Sequence, residues 1–251
     1  MEKTMKRLVM LLLLIGGITL TSSCTDISIG KGGKKLKASK NIVLKEYKMK
    51  PFDALDIDIV AAVKIEQSTD GDYRVAVQAP DNYVDLFELN VSDGELDVDF
   101  SKRNVSIEAK KIGIVIYTPR LRKIENDGVA NVKCEKLQTE HLEIENSGVG
   151  TMTLTGLTAK RIDVESSGVG NVVLAGSADE AEMECSGVGS IKAEELKARA
   201  VKAEVSGVGS IHCYASERLK GEVSGVGSLR YGGDPQEKKL DRSGVGSIKP
   251  L

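Results

Sequence analysis

Ser147-Gly148-Val149-Gly150 and Ser167-Gly168-Val169-Gly170 decide how this chain is read. The same four residues return at Ser186-Gly187-Val188-Gly189, Ser206-Gly207-Val208-Gly209, Ser224-Gly225-Val226-Gly227 and Ser243-Gly244-Val245-Gly246. Asp127-Gly128-Val129-Ala130 is a degenerate first copy. The first glycines are 20, 20, 19, 20, 18 and 19 residues apart. Self-similarity at such a period marks a solenoid, in which each repeat buries its apolar face only against its neighbours.

Columns appear when the repeats are aligned on the first glycine. Four residues before it stand Ile124, Ile144, Val164, Met183, Ala203, Gly221 and Leu240. Six before it stand Arg122, Leu142, Ile162, Ala181, Val201, Leu219 and Lys238; four after it stand Val132, Met152, Val172, Ile191, Ile211, Leu229 and Ile248. These columns alternate with polar ones, the period-2 pattern of strands. The reading is all-β: a parallel β-helix of about seven coils over 121–251, each coil adding about 4.8 Å. Gly148, Gly150, Gly168, Gly170, Gly187, Gly189, Gly207, Gly209, Gly225, Gly227, Gly244 and Gly246 become corner residues that permit close backbone approach or positive φ. The valine between each pair is expected to fill the corner's interior.

Residues 41–120 read as a β-sheet half plugging the first coil. Leu55, Ile57 and Ile59 alternate with Asp56 and Asp58, and Asp-Gly turn signals stand at Asp70-Gly71 and Asp93-Gly94. Tyr83 to Leu89, after Pro80-Asp81, is the one helical turn expected there. Together 41–251 read as one continuous unit. Ahead of it, 24–40 carries no hydrophobic period and many lysines and glycines, which suits a flexible tether. At the start, Lys3, Lys6 and Arg7 precede an apolar run from Leu8 to Leu20, a signal peptide over 1–23 that is too short to span a bilayer. Thr21-Ser22-Ser23-Cys24 resembles a bacterial lipobox, with Thr21 where leucine is usual. That implies a lipidated Cys24 and an outer-membrane lipoprotein on the periplasmic or surface face; plain secretion is the alternative.

Composition limits the rest. Net charge is −2, which argues against a nucleic-acid partner, and aromatic residues are 4% with no tryptophan, thin for stacking on sugars or bases. Cys134 and Cys213 share a column four coils apart, about 19 Å and beyond disulfide reach. Cys185 lies in another column, and all three read as small buried apolar side chains with no metal role.

The Glu204-Val205-Ser206-Gly207-Val208-Gly209-Ser210 type of coil, Tyr231-Gly232-Gly233-Asp234-Pro235, the opening Phe52-Asp53-Ala54-Leu55-Asp56-Ile57 and Asp93-Gly94-Glu95-Leu96 together resemble the head GIN domain family of autotransporter adhesin-like proteins. The resemblance covers about 50–250 and implies an exported lipoprotein of a Gram-negative bacterium. It supplies no catalytic residue.

One column carries chemistry. Three residues before the first glycine stand Glu125, Glu145, Glu165, Glu184, Glu204, Glu222 and Asp241. Like charges on neighbouring strands are destabilising and need an offset. Two residues earlier, the middle coils add Glu143, Asp163 and Glu182 where other coils have lysine. Glu143, Glu145, Asp163, Glu165, Glu182 and Glu184 thus form an expected acidic patch, either a weak divalent-cation site or a solvated face with slightly raised carboxyl pKa values. The acids repeat without a unique pair, and His141 and His212 read as surface residues, so no catalytic set and no cofactor are expected. The reading is a non-catalytic, adhesin-like binding module for an envelope glycan or protein. The alternatives are an envelope spacer or assembly subunit, and a β-helix carbohydrate-active enzyme.

Overall fold

A computed structural model describes residues 27–29, 34–101, 105–107 and 111–251. The signal peptide and Cys24 lie outside the described residues. The chain is almost entirely β, and its main sheet winds as a solenoid.

Parallel registers carry the stacking. Lys123–Asn126 and Val129–Cys134 lie under His141–Asn146 and the start of Val149–Ser166; His141–Asn146 lies under the end of Val149–Ser166, which lies under Val169–Cys185, then Val188–Val205, then Val208–Val223. Ser228–Gly232, Glu237–Arg242 and Ser247–Pro250 finish the stack. The three aligned columns are the core: Ile144, Ile162, Met152, Ile191, Ile211 and Leu219 are all buried. Stacking begins before Leu121. Ala54–Ile57 pairs in parallel with Lys123–Asn126, and Val60–Gln67 with Val129–Cys134, so 54–67 is itself a coil. Glu95–Phe100 and Gly113–Thr118 pair beneath it, and antiparallel strands Ile42–Lys48, Arg74–Pro80 and Phe87–Ser92 close that end.

The corner valines do not fill the interior. Val149, Val169, Val188, Val208, Val226 and Val245 are 46, 53, 54, 58, 59 and 82% exposed. The cause is parity. Inward residues keep even offsets from the first glycine through the corner, so the valine, at an odd offset, faces outward. The interior belongs to the residue two before the glycine: Asn126, Asn146, Ser166, Cys185, Val205 and Val223, all buried. The glycines face inward too, against the coil before. A Cβ on Gly150 would lie 2.0 Å from Ala130 O, and one on Gly209 would lie 2.4 Å from Gly189 O. Close approach is therefore the role of both glycines; Gly150 also has φ +141°. Asn126 Nδ2 donates to Asn146 Oδ1 at 2.7 Å, leaving Asn126 Oδ1 and Asn146 Nδ2 buried without partners.

The stretch read as a tether is partly held. Ile27–Ile29 and Lys34–Lys35 flank Val105–Ile107 in a small sheet. Tyr83 Oη donates to Leu36 O at 2.6 Å, Asn82 Nδ2 donates to Lys37 O, and Ser39 N donates to Asn82 Oδ1. The helical turn that supplies these groups is Asp81–Val84, shorter and earlier than expected; Phe87–Ser92 is a strand.

Candidate functional site

The acidic column is continuous and longer than its repeat. Glu125, Glu145, Glu165, Glu184, Glu204, Glu222 and Asp241 are register partners in turn. At the other end Glu125 pairs with Asp56, and Asp56 with Asp97, making nine carboxylate rungs. Asp56, Glu95 and Asp97 are the one group of three metal-ligating side chains, among the described residues, whose ligand atoms lie within 4.8 Å of one another. Burial and the neighbouring carboxylates of Glu125, Asp127, Asp97 and Glu95 push the Asp56 carboxyl up to about 6.

The six acids expected to form a cation site share the solenoid face with the chain's own cations. Lys123 Nζ lies 2.8 Å from Glu125 and 3.1 Å from Glu145. Arg161 reaches Asp163 at 2.8 Å and Glu182 at 2.7 Å, and Lys202 Nζ reaches Glu182 at 2.5 Å. Burial raises the Asp163 carboxyl, but hydrogen bonds from Arg161 and His141 outweigh it and hold the group below its ordinary value. The Lys202 hydrogen bond, with help from Arg161, lowers Glu182 as well. The expected rise in carboxyl pKa is thus reversed at these two residues, because Arg161 bridges them and Lys202 reaches Glu182 from the next coil. Glu143, Glu165 and Glu184 lie on the same face without an ion pair among the described residues.

A second feature was not foreseen. A groove of about 1400 Å³ runs from the end of Val60–Gln67 across Glu135–His141 to Thr158, Ser177 and Lys197, which are register partners. Its floor is the junction between the N-terminal sheets and the first coils. Gln67 Nε2 donates to Pro119 O at 3.0 Å and Gln138 O at 2.9 Å, while Gln138 N donates back to Gln67 Oε1 at 2.9 Å. This side chain replaces a missing strand rung. Lys64 is buried there, 2.9 Å from Glu66 and 3.6 Å from Glu135. Arg122 Nε donates to Asp53 Oδ1 at 2.8 Å. Seven lysines and arginines line the groove against five carboxylates, a local excess of two positive charges on a chain of net −2. Arg120 and Lys136 have no ion pair among the described residues.

The family model for "Putative auto-transporter adhesin, head GIN domain" matches residues 51–235. The chain belongs to this head GIN domain family. A protein described as a putative adhesin from Bacteroides fragilis has 37% identity, a TM-score of 0.82, and covers 86% of this chain and 100% of its own. A putative lipid binding protein and a putative adhesin, both from Parabacteroides distasonis, have 21% and 22% identity with TM-scores of 0.73 and 0.69. Each of these two covers 87% of this chain and 100% of its own, and at that identity each speaks for the fold alone. No curated protein matches. The matched span takes in the N-terminal sheets and most of the solenoid, which the structure shows as one stack.

In this GIN domain Cys134, Cys185 and Cys213 are free and buried. Burial pushes the Cys134 and Cys213 thiols up to about 11 and 12, away from reactivity. His141 Nε2 lies 2.7 Å from Asp163 Oδ2 at the groove's edge. Arg161 already holds both oxygens of that carboxylate, and no hydroxyl or thiol side chain bonds the imidazole among the described residues. The pair is an ion-pair node rather than half of a triad. His212 Nδ1 is 3.9 Å from Glu194. The signal for the groove was available only as long-range pairing; nothing local in the sequence announces it.

Proposed function

We propose that this GIN domain is a non-catalytic, adhesin-like binding module of the cell envelope, anchored through a lipidated Cys24, and that the junction groove is its partner site. The groove's size and its local positive excess carry the reading, since the rest of the chain is acidic. Arg120 and Lys136 are the groove cations left free for a partner; Lys160, Arg199 and Lys64 are already paired with Glu140, Glu217 and Glu66. The lining has no tryptophan or other aromatic side chain, so the chemistry favoured is ionic and hydrogen-bonding recognition of an extended anionic polymer. Family membership and the 37%-identical adhesin relative support the adhesin-like part of this reading.

The full-length protein, immobilised, is offered alginate, heparin and neutral dextran. Retention of the anionic polymers, falling at least about tenfold in Arg120→Glu/Lys136→Glu, is expected. Equal retention of dextran, or no change in the variant, refutes the groove assignment. Incorporation of labelled palmitate into the parent but not into Cys24→Ser tests the anchor.

A further inference from the structure

The exposed valines form a single stripe. Nine large hydrophobic residues are exposed among the described residues, and six of them are Val149, Val169, Val188, Val208, Val226 and Val245. Val149, Val169, Val188 and Val208 are register partners in turn at about 4.8 Å, and Val226 and Val245 hold the same place in the next two coils. Hydroxyl-bearing or amide side chains border them: Ser206 and Ser224 on one side, Ser210 and Ser228 on the other. Roughly 400 Å² of apolar surface results, within the range where the largest patch on a monomer serves an interaction.

Charge selects what covers it. Beyond the serines on one side runs the acidic column. On the other side, five residues after each first glycine, runs a column that is basic over the last four coils: Lys192, His212, Arg230 and Lys249. Within those coils Glu184, Glu204, Glu222 and Asp241 face outward on the acidic side. Neither Lys192, Arg230 and Lys249 nor these four acids form an ion pair among the described residues. Each of these coils therefore reads acid, apolar, base across the stripe; His212 lies 3.9 Å from Glu194, and Lys202 stands beside Glu184 and Glu204 without an ion pair to either. A membrane is the wrong partner, because the acidic column repels anionic headgroups along the whole stripe.

We infer that the stripe is a homodimer interface in which two copies of this chain lie side by side with their solenoid axes parallel. A two-fold axis along the solenoid direction sets each copy's acidic column against the other's basic column, and valine against valine, rung by rung. The antiparallel pairing would oppose acid to acid and base to base, which is disfavoured. The coil repeat is the same in both copies, so the match holds along the full stripe. The N-terminal sheets then lie at one end of the pair.

Analytical ultracentrifugation of the full-length protein at micromolar concentration tests this. A mass twice that of the monomeric chain is expected. Val188→Asp/Val208→Asp, at outward positions that leave the core untouched, is expected to weaken association by at least about tenfold while circular dichroism stays that of the parent. Glu184→Lys/Glu222→Lys alone and Lys192→Glu/Arg230→Glu alone, which change facing residues of the same two coils, should each weaken it, and mixing the two should restore a mixed dimer. A monomeric parent, or a dimer indifferent to the aspartates, overturns the interface. Mixing that fails to rescue overturns the parallel orientation.

Discussion

Replacing Gly150 by alanine and, separately, Val149 by alanine tests the corner at two adjacent residues with opposite expectations. A Cβ at Gly150 would stand 2.0 Å from Ala130 O. Carbon–oxygen contacts are comfortable at about 3.3–3.6 Å, so the coils would have to part by roughly 1.3 Å. The two rungs just before it are already tight: Gly148 N to Asn126 O is 2.8 Å and Val149 N to Gly128 O is 2.9 Å. Such a shift carries both beyond hydrogen-bonding range. The φ of +141° adds strain for any residue with a Cβ. Overpacking costs about 1–3 kcal/mol and an unfavourable backbone region about 1–3 kcal/mol. Gly150→Ala should therefore lose about 2–6 kcal/mol of a total that for a typical domain is about 5–15 kcal/mol. Val149 is 46% exposed and outside the core, so Val149→Ala should stay within about 0.5–1 kcal/mol of the parent. Urea unfolding followed by far-ultraviolet circular dichroism reads both, as the chain has no tryptophan. A Gly150→Ala variant within about 1 kcal/mol of the parent refutes the close-packing account, and a loss of about 2 kcal/mol or more in Val149→Ala returns the valine to the interior.

Three further outcomes follow from the polar groups. Asn146→Val alone strands Asn126 Nδ2 and should cost about 1–3 kcal/mol, whereas Asn126→Val/Asn146→Val removes every unpaired atom of the ladder and should recover most of that loss in a double-mutant cycle. Asp56 has a folded-state pKa of about 6 against 3.8 unfolded, so the native state binds the extra proton and stability from this group falls as pH rises from about 4 to about 6, then levels. Asp56→Asn should flatten that slope and gain on the order of 1 kcal/mol at pH 7, after allowance for solvent screening; an unchanged pH profile by chemical unfolding contradicts the assignment. Calcium titration at millimolar ion should give no heat that depends on the acids of the middle coils, since Arg161 bridges Asp163 and Glu182 and Lys202 pairs with Glu182 from the next coil. Heat from the parent that disappears in Glu165→Gln/Glu184→Gln would restore a cation site there.

How far the sequence could be read depended on which residues repeat. The glycine spacing and the three apolar columns were legible because each coil restates them, and Ile144, Ile162 and Met152 are buried as their columns require. The valine's direction was also legible: it sits at an odd offset, and the columns used to infer the core are all even. Its apolar character outweighed its parity in the reading. The coil at 54–67 was not legible, since Ile57-Asp58-Ile59-Val60 holds the corner place without a single glycine. That hid the extension of the acidic column to Asp56 and Asp97. The groove was hidden for a different reason. Gln67 and Gln138 are 71 residues apart, and a side chain that replaces a backbone rung leaves no periodic trace.

The same columns explain where the solenoid stops, and they allow a direct test. In the last coil two inward places hold charged residues: Lys238 succeeds Leu219, and Arg242 succeeds Val223. Glu237–Arg242 is exposed throughout, and Arg242 Nη1 donates to Gly246 O at 3.0 Å, satisfying a carbonyl at the open corner. Inward-pointing charge is a recognised guard on a sheet edge, because a further coil would have to bury it unpaired. Lys238→Leu/Arg242→Val would continue both core columns to the edge and leave Leu240, already 39% exposed, at the centre of an apolar end. This variant should assemble end to end into long particles visible by light scattering and electron microscopy, while the parent stays discrete. Particles of unchanged size would mean that the unpaired strand is guarded by something other than these two cations.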